Sequence, residues 1–167
     1  MIVTVEEGSE HHMAIAALSR TAFGGDYEAK LIEGLRRDGA VVASLVALED
    51  GEVVGHILFS DLSIEMDGRP ISAASLATMA VRPDRQRQGI GSRLVREGLS
   101  AVRQRQRSAV IVVGHAGYYP RFGFSAELAR KLESAFRGDT FMALELVPGA
   151  LAGQAGSVRY PAAFGAD

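Results

Sequence analysis

The sequence predicts a single α+β domain, a mixed and mostly antiparallel sheet flanked by helices. Three observations predict it. Between residues 41 and 81, apolar and β-branched runs alternate with Asp-Gly turns, the pattern of antiparallel hairpins. After Val81 the apolar spacing changes from a strand period to a helical one over residues 89–102. The short, wholly apolar stretch 109–113 then reads as a strand buried on both faces. A chain of 167 residues is long enough for one real core and short for two.

The elements follow in order. Residues 2–5 alternate briefly and predict a strand. Residues 12–22 and 28–37 carry apolar positions at helical spacing, separated by the turn Gly24-Gly25-Asp26. The runs 41–48 and 53–59 flank Glu49-Asp50-Gly51, where Asp-Gly supplies the positive φ of a tight turn. A third run, 62–66, ends at Asp67-Gly68, and a fourth, 71–81, follows, giving a four-stranded antiparallel meander. Pro83 closes the last of these strands. Helix 89–102, with Leu94, Val95, Leu99 and Val102 inward, joins it to strand 109–113 as a βαβ unit. Residues 140–147 form a final strand. One domain over residues 1–147 is expected, followed by a Gly-, Ala- and Pro-rich tail, 148–167, that wraps the surface or frays.

Composition excludes several functions. Net charge is -2 and 47% of residues are hydrophobic, so no overall field draws the chain to nucleic acid or anionic lipid. There is no cysteine, hence no thiolate nucleophile and no cysteine zinc site. His11 and His12 are adjacent, point to different sides and lack two further ligands, so no metal is expected. The first twenty residues lack the basic and long apolar segments of a signal peptide, and no stretch reaches the ~20 apolar residues that span a membrane. A cytoplasmic enzyme or binding domain is expected.

Positive charge is local. Eight arginines lie between Arg82 and Arg107 against only Asp84 and Glu97, while the chain has two lysines in all. Within this segment "VRPDRQRQGIGSRLV" sets Gln86-x-x-Gly89-x-Gly91 between a strand end and a helix start. The first turn of a helix has unpaired N–H groups and partial positive charge, which attract phosphate. Glycines there remove side chains that would hold a pyrophosphate off, and Arg82, Arg85 and Arg87 add charge. Neither a dinucleotide fingerprint, which needs glycine where Leu94 stands, nor a P-loop fits.

"MAVRPDRQRQGIGSRLV" resembles the acetyl-CoA-binding motif of the GNAT superfamily of N-acetyltransferases, and "YYPRFGF" at residues 118–124 resembles that family's later tyrosine motif. Two motifs in order, separated by one helix and one strand, make the likeness specific. The resemblance implies a GNAT-like acyl-CoA N-acyltransferase fold whose sheet splays between the fourth and fifth strands, with the cofactor in the opening. It implies that the backbone of Met79, Ala80 and Val81 pairs with the pantetheine arm. It implies that Gln86, Arg87, Gln88, Gly89, Ile90, Gly91 and Ser92 hold the pyrophosphate of acetyl-CoA. It also implies that Tyr119 lies near the thioester sulfur and can protonate it, while Tyr118 is read as packing.

Acetyl transfer to an amine needs a neutral amine, a held carbonyl and a protonated leaving thiolate. With no cysteine and no Gly-x-Ser-x-Gly elbow, direct attack in a ternary complex is the expected mechanism. The strand "SLATMAV" carries no carboxylate where many relatives have a glutamate, so the base is open among His56, Glu65, His115 and Glu127. His115, at the end of the fifth strand, is the first choice; His56 could equally be a satisfied core histidine. Two other functions stay open: a non-catalytic acyl-CoA sensor or scaffold, and a nucleic-acid binder using the arginines, which the acidic pI of about 6.1 opposes. The acceptor is expected to be a small-molecule or peptide amine, with no nucleic acid or membrane partner and a monomer or homodimer. Its pocket would come from residues 23–39, 62–70 and the segment after Phe124. These offer Asp26, Glu28, Glu33 and Glu65 for a cation, and Arg36 and Arg37 for a carboxylate.

Overall fold

In the computed structural model, which describes residues 1–136 and 138–165, the sheet grows strand by strand in chain order. Strand β1 (Ile2–Glu6) lies antiparallel to β2 (Val41–Glu49), β2 to β3 (Glu52–Met66), and β3 to β4 (Arg69–Val81). Both predicted Asp-Gly turns form. Asp50 and Gly51 have φ of 50° and 82°, Asp67 and Gly68 49° and 81°, the paired left-handed residues of a two-residue hairpin.

The predicted separate run 62–66 is instead the far half of β3. Ser60 and Asp61 break the hydrophobicity but not the strand, because Asp61 points outward to Arg107 (2.5 Å) and accepts from the Leu62 amide. Beyond Ser60, β3 has lost β2 as a neighbour, and its free edge is taken by β8 (Gly156–Arg159), with Ile64 opposite Val158. The segment expected to wrap or fray therefore adds a strand. Its backbone pairing, not its composition, holds it down. Leu151 and Tyr160, both buried, then seal a small core with Leu62, Ile64 and Phe141.

After β4 come α3 (Ile90–Gln104), β5 (Ala109–Val113) parallel to β4, and β7 (Phe141–Glu145) antiparallel to β5. Between β5 and β7 lie α4 (Ala126–Ala129), capped by Ser125, and the short β6 (Leu132–Glu133). The helical period of α3 turns Leu94, Val95 and Val102 onto one face of the sheet, against Leu45, Ile57 and Phe59. Helices α1 (His12–Phe23) and α2 (Tyr27–Arg37) cover the other face, with Ile15, Ile32 and Leu35 against Val46 and Leu58. No helix among the described residues is long and apolar enough to cross a membrane.

Two irregularities in β4 create the site. Its pairing with β5 runs only from Ala73–Ala109 to Leu76–Val112, after which the strands diverge. At the same level Leu58 and Phe59 of β3 face Thr78 and Leu76, so Ala77 is an extra, bulged residue. The β4 edge from Ala77 to Val81 is left without its parallel neighbour, and backbone groups there need another partner. The sheet thus splays between its fourth and fifth strands, as expected.

Candidate active site

The loop after β4 is shaped by its own side chains. Gln86 turns back and donates its amide to the Val81 carbonyl (3.0 Å), pinning the loop to the end of the strand. Arg87 (φ 64°) and Gly89 (φ 85°) both lie in the left-handed region. Gly89 is the N-cap of α3 and offers no side chain to the first-turn N–H groups, and that turn holds no acidic residue. The free donors face a groove of about 720 Å³ lined by Arg85, Gln86, Arg87, Gly89, Gly91 and Ser92 among others. Of the loop residues named from sequence, exposed Gln88 does not line it.

The arginines divide by role. Arg82 pairs with Asp84 (2.7 Å) and Glu52, and Arg85 with Glu49 (2.5 Å), so both brace the loop more than they add free charge. Across the groove stands Arg121, which sequence reading missed. It donates to the Tyr118 carbonyl (2.8 Å), and its guanidinium lies 4.5 Å from the Tyr118 ring centre. Tyr118 does more than pack. Its hydroxyl meets Ser92 Oγ at 3.0 Å, bridging the two walls. A Cβ on Gly91 would come within 3.3 Å of that hydroxyl and 3.4 Å of Met79 Cε.

The groove adjoins a cavity of about 430 Å³ in the splay, sharing Val81, Gln86, His115 and Tyr118 with it. Met79 and Ala80 line one side, and Tyr119 with the end of β5 the other. Tyr119 begins a 3₁₀ turn (Tyr119–Phe122) and packs edge-on to Phe124 at 5.8 Å. Any side chain at Gly114 would strike it, since a Cβ there would stand 2.4 Å from its ring. Burial pushes the phenol up to about 12, with Tyr118 adding to the effect. It is a protonated donor throughout the physiological range.

Residues 6–126 match the acetyltransferase (GNAT) domain family. The chain belongs to the GNAT family of N-acetyltransferases. It is 35% identical to the Escherichia coli K12 N-acetyltransferase YhbS over 149 residues, 87% of this chain and 88% of that one. A crystal structure of E. coli YhbS in complex with CoA is similar at TM-score 0.89 and 32% identity, covering 98% of this chain and 92% of that one. A GNAT acetyltransferase from Brucella melitensis in complex with acetyl-CoA is similar at TM-score 0.81 and 32% identity, covering 98% of both chains.

In this acetyltransferase the four candidate bases separate cleanly. His115 alone of them lines the cavity. Glu65 and Glu127 are exposed elsewhere, on the far end of β3 and on α4. His56 is core: its Nε2 donates to Ser44 Oγ (2.8 Å), and Ser44 in turn donates to Glu7. Glu7 also takes Arg36 (2.7 Å) and His12 (3.0 Å), while His11 Nδ1 accepts from the Gly8 amide. Among the described residues, no group of three His, Cys, Asp or Glu side chains could hold a metal ion.

This buried network has a pH signature. Burial pushes the His56 imidazole down, outweighing the raising effect of Glu7. Burial alone would raise the Glu7 carboxyl, but hydrogen bonds from His56, Arg36 and Ser44 hold it well below the usual carboxylate range. Both groups bind a proton less readily folded than unfolded. Their stabilisation is present above the unfolded values of 6.5 and 4.5 and is lost as pH falls below each. The thermal midpoint should therefore drop on acidification from pH ~7 to ~4. Glu7→Gln should be less stable at neutral pH yet show a flatter slope below pH ~4.5. An unchanged slope in that variant would assign the acid sensitivity to other groups.

Proposed function

We propose that the chain moves an acetyl group from acetyl-CoA to a primary amine, by direct attack while both are bound. The observation that carries this reading is the continuity of a donor-lined groove at the α3 N-terminus with a splayed cavity that ends at Tyr119. The similar proteins solved with CoA and with acetyl-CoA support it. In this reading the amides of residues 86–92 bind the pyrophosphate, as at other helix N-termini. The unladdered backbone of Met79, Ala80 and Val81 accepts the pantetheine arm in place of a strand.

The chemistry then balances as follows. The amine nitrogen attacks the thioester carbonyl carbon, and the C–S bond breaks as the tetrahedral intermediate collapses. His115 takes the proton the amine sheds, and the Tyr119 phenol supplies one to the departing sulfur. With reference values of about 10 for a phenol and about 8.5 for a thiol, the transfer is uphill in water, and burial that pushes Tyr119 up to about 12 would widen the gap. The apolar surroundings that raise the phenol also raise the basicity of the thiolate, which narrows the gap.

Two measurements test the reading. Mass spectrometry of amine pools incubated with acetyl-CoA should reveal an acetylated product. Initial rates with that acceptor should give intersecting lines, because the described residues that line the cavity include neither cysteine nor serine. Parallel lines with an isolable acetyl-enzyme would contradict direct attack. Tight CoA binding without turnover of any amine would favour the sensor alternative, which the carboxylate-free "SLATMAV" strand supports.

A further inference from the structure

Of the charged groups named above that could select an acceptor, only one among the described residues reaches the cavity. Arg36 is consumed by Glu7 on the far side of β2, and Arg37 is exposed beside Asp38. Asp26 is tied to Arg20 (2.8 Å). The hairpin around Asp67, with Glu65, is occupied by β8, and the segment after Phe124 opens onto a different cavity. Glu28, in the first turn of α2, lines the splay, and among the described residues no arginine or lysine lines it with Glu28. Among the described residues Glu28 has no ion-pair partner. Beside it, Phe23 is 43% exposed although it lines the same cavity, as does Val113 at 46%. The cavity therefore offers apolar surface as well as the Glu28 carboxylate.

From this, and resting on the acetyl-transfer reading, we infer that Glu28 selects diamine-type acceptors: two cationic nitrogens separated by an apolar stretch. The nitrogen held at Glu28 is not the one that attacks. A carboxylate partner favours the protonated form, whereas the attacking amine must be neutral. The apolar spacer lies along Phe23 and Val113, and the second nitrogen reaches toward His115 and Tyr119. An acceptor with its own carboxylate is rejected, since its charge would enter a cavity where Glu28 is the one fixed charge among the described residues.

The test is calorimetry on the chain saturated with CoA. 1,5-Diaminopentane, spermidine, the uncharged 1-hexanol and glycine are titrated into wild type and Glu28→Gln. The wild type should bind both amines about five- to tenfold more tightly than 1-hexanol, the gain of one half-exposed ion pair. Glu28→Gln should erase that advantage while leaving 1-hexanol, which offers no cation, unchanged, and glycine should not bind. A role confined to the N-terminus of α2 would instead lower the thermal midpoint of the variant and leave the polyamine preference intact. That result overturns the proposal, as does equal affinity for 1-hexanol or no polyamine binding at millimolar concentration. Failure of CoA itself to bind would instead fault the acetyl-transfer reading, so the two failures are distinct.

Discussion

Tyr119→Phe is expected to lower kcat by about 10²–10⁴-fold, the range of a positioned proton donor, with acetyl-CoA affinity nearly unchanged. The substitution keeps the ring that packs against Phe124 and Tyr118 and removes only the hydroxyl. The edge-to-face contacts and the fit against Gly114 persist, so the fold and the groove should be intact. An interaction made mainly as the C–S bond breaks appears in kcat and not in binding. Steady-state rates with an acceptor from the amine screen, alongside calorimetry with CoA, separate the two. Full kcat in the variant would make Tyr119 a wall of the cavity and nothing more.

The second large effect is on binding. Gly89→Val should raise the Kd for acetyl-CoA by about 10²–10⁴-fold, equivalent to losing about two charge-assisted hydrogen bonds. Nothing lies within 4 Å of a Cβ at Gly89, so the damage comes from backbone conformation. A β-branched residue is strained at φ 85°, and relief of that strain turns the first amides of α3 away from the groove. Gly91→Val acts differently. Its methyl groups enter the narrow space between Tyr118 and Met79, while Gly91→Ala must only press on contacts of 3.3–3.4 Å and should cost less. Circular dichroism should be unaltered in all three. Wild-type affinity in both valine variants would remove the loop from the binding site.

The loop was legible because its chemistry is local. Two glycines, a strand end and a helix start are all adjacent in the chain, so the loop's place at the α3 N-terminus follows from local sequence; the phosphate reading rests on the motif resemblance as well. The hairpins were legible for the same reason, each Asp-Gly pair needing only its own φ values. The β8 strand was not, because its partner on β3 lies about ninety residues earlier and its own sequence, Gly-Ser-Val-Arg, has little strand character. The continuity of β3 through Ser60 and Asp61 comes from their pairing with Ser75 and Ala74 of β4, with Arg107, again remote in sequence, meeting the Asp61 charge. Likewise, four residues offered themselves as a base on type alone. What separates them is position: His56 is absorbed by Ser44 and Glu7, and His115 is carried to the cavity by the end of β5. Arg121 carried a faint signal, three residues after Tyr118, but only the turn that stacks it on that ring gives it a place at the groove.

Acetyl-CoA is expected to lie along the groove and into the splay with its thioester at Tyr119. A crystal structure of the chain with CoA tests it most directly. The pyrophosphate should lie on the amides of residues 86–92, the pantetheine arm along Met79, Ala80 and Val81, and the sulfur within reach of the Tyr119 hydroxyl. CoA bound elsewhere on the chain, or with its sulfur pointing out of the splay, would contradict it.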